Sequence, residues 1–398
     1  MEKKHKRQQN PNSPIQKKDG KTVKTFALAS LLNDLGANMI YPIWPIFLTT
    51  VLGANMSILG LVDGLGDALV SLSQALSGYA SDRLKKRKVF IWLGYLLGAA
   101  SRLGYAITTT WPMVIPFRIL DRAGKIRDSP RDAIVADESI NKNRGKNFGI
   151  IKGMDKLGGV FGIILCILFI NFFGYQLFFM LAAIPSILSA ALVYFIIKEK
   201  KQTKIKLYKG IKLTNLTHNY KLFLALSAIF ALGSFSYSFL LVFANKAGYQ
   251  TTFIPILYLI YVIFAAAFSL PFGKLSDKIG RKKVMNLALL FWAMTCILFI
   301  FFNTWWAILL TFVLYGLHQA ALLPVQTTYV SELAPKKFRA SALGGFQMII
   351  GLCALPASLI AGILWDSFGA TVPFILSLAL TAIAIAMLHF VKETKNRN

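Results

Sequence analysis

The residues best equipped to do chemistry lie in one stretch, Arg118–Asp137, which reads RILDRAGKIRDSPRDAIVAD. On a helix, positions i, i+3, i+4 and i+7 share a face, and Arg118, Asp121, Arg122 and Lys125 have that spacing. Ser129 and Asp132 continue the stripe past Pro130, a residue type that bends helices. Such a face suits three roles. A carboxylate beside a cation can change protonation as its exposure changes, which is proton coupling. Arginine can grip a carboxylate or phosphate through two parallel hydrogen bonds, which is anion binding. The third role is a structural ion-pair network that fixes helices against one another.

Charges elsewhere divide unevenly. Asp34, Asp121 and Asp155 are the proton-coupling candidates. Arg118, Asp121, Arg122, Lys125 and Lys152 are candidates for a solute cavity, to which the later part of the chain adds His318 and Gln319. Asp63 and Asp67, one turn apart, read chiefly as structural partners, and Arg102 is a further cation. His318, alone on an apolar helix, reads more readily as a core histidine than as a proton relay. No nucleophile–histidine pair, metal cluster or ATP-binding loop stands out, so neither enzyme activity, metal nor cofactor is expected.

These residues need elements to position them. The chain has 398 residues, 56% hydrophobic, with a mean hydropathy of +0.57 and only 15% charged, against about 25% charged in soluble domains. Charge-free runs such as Val160–Ile170, Leu177–Ile197 and Leu287–Phe302 recur. A helical crossing takes about 20 residues, and twelve fit. The predicted class is an all-α transmembrane protein with the lipid bilayer as solvent. The net charge of +27 sits in short segments between apolar runs and at the termini, the pattern of loops on the cytoplasmic side rather than of a nucleic-acid binder. Cys166, Cys296 and Cys353 fall inside apolar runs and read as small core residues.

The predicted layout is a basic tail (1–24), six crossings (25–197), a basic linker (198–221), six more crossings (222–391) and a short tail (392–398), with both termini cytoplasmic. Basic loops alternate with nearly uncharged ones, Lys246 being the main exception. The Thr108–Pro112 loop lies on the outer side and Glu138–Lys146 on the inner. The charged stretch must therefore cross as the fourth helix, with Arg118 roughly 10 Å and Lys125 roughly 20 Å below the outer boundary at the helical rise per residue. Each such charge costs about 2.5–3.5 kcal/mol in a membrane helix unless it is paired or faces a polar cavity.

The two halves repeat. Gly78-Tyr-Ala-Ser-Asp-Arg-Leu-Lys-Lys-Arg-Lys88 aligns with Gly273-Lys-Leu-Ser-Asp-Lys-Ile-Gly-Arg-Lys-Lys283 at an offset of 195, which also pairs Arg144 with Arg339 and Gly149 with Gly344. Duplicated halves are the plan of transporters that rock about a midplane site. Both loops resemble the signature loop of the major facilitator superfamily, G-x-L-x-D-[RK]-x-G-R-[RK]. The second copy matches throughout; the first has Ala80, Lys85 and Lys86 at three signature positions. The resemblance implies a gating cluster built from Gly78, Asp82, Arg83 and Arg87 and from Gly273, Asp277, Gly280 and Arg281, its glycines allowing close helix approach and its arginines pairing with the aspartates.

Gly149, Gly158 and Gly162 resemble the first part of the motif that antiporters of the superfamily carry in their fifth helix, but Ile163 stands where its proline would be; close packing of small residues is the competing reading. DRAGKIRDSPRDAIVAD resembles a bacterial branch with a D-R-x-G-K-G-x-R-x-x-P-R-D-A-L pattern, some of whose members are associated with carboxylate siderophores. Together these imply a monomeric, proton-coupled secondary transporter of a small organic, preferentially anionic solute in a bacterial cytoplasmic membrane. The alternatives are a proton-driven multidrug antiporter and a non-transporting sensor or scaffold.

Overall fold

The computed structural model describes residues 14–139, 143–199, 216–334 and 339–392, and every regular element among them is helical. The basic tail through residue 13, most of the predicted linker (200–215), residues 335–338 and the tail beyond residue 392 lie outside the described residues.

Helix α1 (Pro14–Ile40) ends just before Pro42. Pro42 and Pro45 explain why, since proline lacks the N–H a helix needs and crowds the carbonyl four residues back. The chain continues through a short turn, α2 (Trp44–Ile46), into a π-helical turn, Phe47–Val51. α3 (Met56–Leu84) starts where the Asn55 side chain accepts the Ile58 N–H at 2.9 Å, the usual satisfaction of a free helix-start donor. α4 (Lys88–Ala106) follows. The charged stretch is not one helix: α5 (Val114–Ala123) passes through a 3-10 turn, Gly124–Arg127, into α6 (Asp128–Glu138). Pro130 crowds the Ile126 carbonyl and so tightens that turn.

α7 (Arg144–Ile196) holds predicted crossings five and six end to end; Gly174 (φ 66°, ψ 174°) breaks the rod between them. α8 (His218–Gly233) and α9 (Tyr237–Lys246) flank an interruption at residues 234–236. α10 (Ile254–Ile279), α11 (Arg281–Phe301), α12 (Trp305–Leu333), α13 (Arg339–Phe368) and α14 (Val372–Phe390) complete the chain. Among the described residues nine helical spans are long and apolar enough to cross a membrane; α7 counts once, and α1 and the α5–α6 stretch do not qualify. Large apolar side chains face outward, with Phe172 81% exposed and Phe195, Phe301 and Phe390 similarly bare. In water this surface would cost about 25 cal/mol per Å²; against lipid tails it costs nothing.

Before residue 200, α1 and α4 pack on α7 and α4 packs on α5. After residue 215, α12 packs on α10 and α11, and α14 on α8 and α11, around an aromatic core that includes Trp292, Phe235, Phe299 and Phe374. The two parts meet through α3 on α13, α7 on α10, and α2 on α9. The α3–α13 contact is the closest. A Cβ on Gly60 would run into the Ser358 carbonyl oxygen, one on Gly64 would lie 2.8 Å from the Ala354 oxygen, and one on Gly362 would strike Met56. Only hydrogen fits at these crossings.

At the end of the bundle that carries the uncharged loops, Asp366 caps α3 from across this contact. Its carboxylate accepts the Met56 and Ser57 N–H groups at 3.1 and 2.7 Å and the Ser57 hydroxyl at 2.6 Å. A carboxylate on a helix start is favourable, and removing such a cap costs about 1 kcal/mol. Asp366→Ala is therefore expected to raise the share of molecules separated at this end about fivefold. Spin labels on the exposed Thr50 and Thr304 would read this as a growing long-distance population; an unchanged distance distribution would remove the cap from the account.

Candidate functional site

Buried charges gather in two clusters. The first joins α3, α5 and the turns around α2 and α9. Arg118 donates from Nη2 to Asp63 Oδ1 at 2.6 Å, and Trp44 Nε1 donates to the same oxygen at 3.0 Å. Asp63 Oδ2 accepts Ser236 Oγ at 2.8 Å and also the Ser238 hydroxyl. The Arg118 guanidinium lies 4.5 Å from the centre of the Trp44 ring, a cation–π contact. Arg118 and Asp63 are 2% and 1% exposed. Asp63, which the sequence marks only as a structural partner, is thus the hub of the cluster. The missing signal was long-range: nothing local says that Ser236 and Ser238, 173 and 175 residues away, will meet it.

Asp121 lies between the arginines, its Oδ2 3.8 Å from Arg118 Nη1 and 3.6 Å from Arg122 Nε. Arg122 is buried beside Tyr41, 5.3 Å from the ring centre, and its Nε has no hydrogen-bond partner among the described residues. Asp67 lies half-buried one turn along α3 from Asp63. Opposite, Tyr237, Tyr258, Tyr261 and Tyr315 form a chain of rings 5.1, 5.4 and 4.8 Å apart, and the Tyr237 hydroxyl donates to the Tyr41 carbonyl at 3.3 Å. Gln319 Nε2 donates to the Tyr315 hydroxyl at 3.3 Å. The later part of the chain therefore supplies a tyrosine wall.

The second cluster surrounds a polar cavity of about 70 Å³ lined by Asp34, Asp155, Lys125, Lys152, Arg127 and Arg131, among others. Arg131 Nη1 donates to Ser30 Oγ at 2.9 Å and stands 4.0 Å from Asp155; Lys152 Nζ is 3.8 Å from Asp155, and Arg127 Nε 3.7 Å from Asp128. Lys125 thus lines this second cavity, whereas Arg118 and Arg122 stand in the first cluster. The reason is the 3-10 turn, which advances the helix phase between residues 124 and 127. Gly94 and Gly124 let α4 approach that turn, a Cβ on Gly94 lying 2.5 Å from the Gly124 oxygen. Buried Arg127 and Arg131 escaped the sequence reading, although their spacing about Asp128 was legible.

One candidate is placed elsewhere. His318, named for the solute cavity, is 0% exposed, its Nδ1 is 2.7 Å from the Ala288 carbonyl, and Phe230, Trp292 and Tyr315 surround its ring. Acids meet the cations of α5 and α6: α3 brings Asp63 against Arg118 and α6 brings Asp128 against Arg127 and Arg131. Arg102, buried with no carboxylate in ion-pair reach among the described residues, is held by the Ala182 carbonyl at 3.1 Å, the Asn33 carbonyl at 3.2 Å and the Ser186 hydroxyl.

The loop motifs sit at the opposite end. Arg87 donates to Asp82 at 2.8 and 3.2 Å and to Asp137 at 2.5 Å. Burial works against its charge, yet these hydrogen bonds more than offset it and hold the guanidinium above its ordinary pKa. Arg83 is exposed. In the second copy Arg281 pairs with Asp277 at 2.6 Å and Glu332 at 3.1 Å; Glu332 is Asp137 shifted by the repeat offset of 195. Lys85 (φ 55°) and Gly280 (φ 103°) also correspond and both take a positive φ, which explains the motif's glycine. Gly78 and Gly273 do not carry the expected close approach: a Cβ would lie 3.5 Å from Ser129 at the first and meet nothing within 4 Å at the second. In the fifth crossing, Gly158 and Gly162 press on the Leu31 and Leu35 carbonyls of α1 while Gly149 faces open space, as close packing requires.

The sequence profile of the Major Facilitator Superfamily matches residues 26–259 and 222–398. The chain is 41% identical over 357 residues to the MFS-type transporter MJ1317 of Methanocaldococcus jannaschii, covering 87% of this chain and 88% of the relative. It is 26% identical over 346 residues to the quinolone resistance protein NorA of Staphylococcus aureus, covering 83% and 87%. In fold it resembles the nucleoside transporter NupG (TM-score 0.72, 16% identity, 93% and 98% covered). It also resembles a bacterial homologue of the human lysosomal transporter Spinster (TM-score 0.74, 15% identity, 93% and 96% covered). With the duplicated loop motif, the helical bundle and the profile match across both parts, the chain belongs to the Major Facilitator Superfamily and is a multi-pass membrane transporter.

Proposed function

We propose that the protein is a proton-coupled secondary transporter that moves a small organic anion by alternating access. In this reading twelve crossings form two six-helix halves, 25–197 and 222–391, with both termini and the basic loops on the cytoplasmic side of a cytoplasmic membrane. The uncharged-loop end, joined by Asp366 and the α3–α13 glycines, is the outer gate, closed here.

One observation carries the choice of an anion. Among the described residues, Arg122 is a buried guanidinium whose Nε has no hydrogen-bond partner and stands 3.6 Å from Asp121 Oδ2. Arg118 gives its Nη2 to Asp63, and its Nε and Nη1, like the Nε of Arg122, have no hydrogen-bond partner among the described residues. A buried cation with unused donors is costly, and a bound carboxylate or phosphate would accept those donors. Tyr41 beside it and Tyr237 across the interface would flank the solute's apolar body. Asp34 and Asp155, in the small polar cavity with Lys125 and Lys152, are the proton-carrying candidates together with Asp121.

The test is flux in proteoliposomes with and without a proton gradient across a panel of organic anions and cations. Gradient-dependent flux of an anion is expected, and no such flux for any compound would sink the reading. Arg122→Gln is expected to lower anion flux about 10- to 100-fold, the worth of hydrogen bonds to a charged group, with Arg122→Lys recovering part. A second reading, multidrug efflux, is favoured by the likeness to NorA and by the tyrosine wall. It predicts flux of bulky aromatic cations that survives Arg122→Gln.

A further inference from the structure

At the basic-loop end of the bundle, the start of α1 and the last turns of α7 enclose a groove of about 470 Å³. Its chemistry changes along α1. Lys21 and Lys24, one turn apart, line it and are exposed, and Gly20 beside them adds no side chain to narrow it. Further along, Leu28 of α1 meets Leu192 and Ile196 of α7, and Leu28 and Ile196 are exposed on the outer, apolar surface. The Thr25 hydroxyl donates to the Lys21 carbonyl at 2.9 Å, so the polar side-chain groups left to the groove are the two ammonium groups. None of the lining residues is acidic. Residues 1–13 and 200–215, the stretches that flank these helices in sequence, each carry net positive charge and cannot neutralise the two lysines.

We infer that this groove holds one acidic phospholipid, its phosphate on Lys21 and Lys24 and the start of an acyl chain against Leu28, Leu192 and Ile196. The dimensions agree. At the helical rise, Leu28 lies about 6 Å along α1 from Lys24 and about 10 Å from Lys21, the reach from a phosphate through glycerol to the first methylenes. Lysine meets phosphate as a point charge on a flexible stem, which suits a headgroup that is not held in one orientation. Basic pockets between membrane helices take acidic headgroups for the same reason. A free phosphate would gain nothing from the apolar part of the groove, and a zwitterionic lipid would bring its own cation towards the lysines. Every lining residue lies before residue 200, and α1 packs on α7 there. The lipid therefore clamps α1 to α7 and does not depend on the contacts between the two parts of the chain.

The experiment titrates full-length protein in detergent with phosphatidylglycerol and counts bound lipid by native mass spectrometry. Phosphatidylcholine and glycerol phosphate are the comparison probes. One phosphatidylglycerol is expected to bind saturably and more tightly than phosphatidylcholine, and glycerol phosphate at equal concentration is expected not to displace it. A lysine at the membrane surface is worth about fivefold in binding an acidic lipid, so Lys21→Gln/Lys24→Gln is expected to weaken binding about 25-fold. Lys274→Gln/Lys392→Gln removes the same charge from exposed positions at the same end but outside the groove, and is expected to leave binding nearly unchanged. Thermal unfolding gives a second readout: phosphatidylglycerol should raise the melting temperature of the unsubstituted protein and of the Lys274/Lys392 variant, but not of the Lys21/Lys24 variant. Equal losses in the two double variants would reduce the effect to diffuse charge attraction and overturn the inference. Phosphatidylcholine binding as tightly would overturn it too, and displacement by glycerol phosphate would make the groove a site for free phosphate instead. The assay contains neither solute nor proton gradient, so its outcome is independent of the transport reading.

Discussion

Replacing Arg118 by leucine is expected to destabilise the protein by several degrees in thermal unfolding and to abolish transport. The cause is the group left behind. Asp63 is 1% exposed, and Arg118 is its one cationic partner within ion-pair distance among the described residues. Breaking a buried ion pair by removing one member costs about 3–5 kcal/mol, mostly the unpaired charge. Trp44 would also lose the cation against its ring. Arg118→Lys should recover only part, because an ammonium cannot match the flat guanidinium against both the carboxylate and the ring. Pairing Arg118→Leu with Asp63→Leu should restore much of the lost stability, though not transport. Thermal unfolding in detergent and proteoliposome flux check both. A variant with wild-type melting and flux would show that the pair carries neither fold nor function, and one with wild-type melting but lost flux would move Arg118 from the ion-pair framework to the solute.

Gly60→Val is expected to lower transport more than tenfold while each half stays folded. Its Cβ would run into the Ser358 carbonyl oxygen and approach the Ser358 carbonyl carbon at 2.8 Å. Backbone cannot yield as a flexible side chain can, so α3 and α13 must move apart. Overpacking of this kind costs about 1–3 kcal/mol, and here nearly all of it falls on the closed gate, because the contact joins the halves rather than stabilising either one. The labelled pair Thr50 and Thr304 should report a larger separation. Gly149→Ala, with nothing within 4 Å of the added carbon, should leave both separation and flux unchanged. Equal behaviour of the two variants would mean that the α3–α13 contact does not limit the cycle.

Much of this architecture was legible in residue order. Long apolar runs, alternating basic loops and the offset of 195 identify a duplicated membrane bundle because lipid forbids unsatisfied backbone and so permits few other solutions. The helical spacing of Arg118, Asp121 and Arg122 likewise survives in α5, because it depends on one continuous helix. Even the pairing of Asp82 with Arg87 and of Asp277 with Arg281 is local enough to read from the loop.

Only the tertiary structure decided which charges meet. Asp63 read as no more than a structural partner because the groups it meets lie 55 residues away on α5 and more than 170 away at the start of α9; helical periodicity carries no information at that range. Lys125 left the stripe because a 3-10 turn before Pro130 changes the phase, a change of about 20° per residue that composition does not record. His318 was an apolar-helix histidine in sequence and is a core histidine in space, fixed by the Ala288 carbonyl. The stretch Arg118–Asp137 therefore announced by its charges alone that it must be paired or face a cavity. Packing then divided it: Arg118 to an ion pair with Asp63, Arg122 to a place with unused donors, and Lys125, Arg127 and Arg131 to a separate polar cavity. The physical reason is one of range: the cost of burying a charge is written in the residue itself, but its compensation depends on whichever helices pack against it.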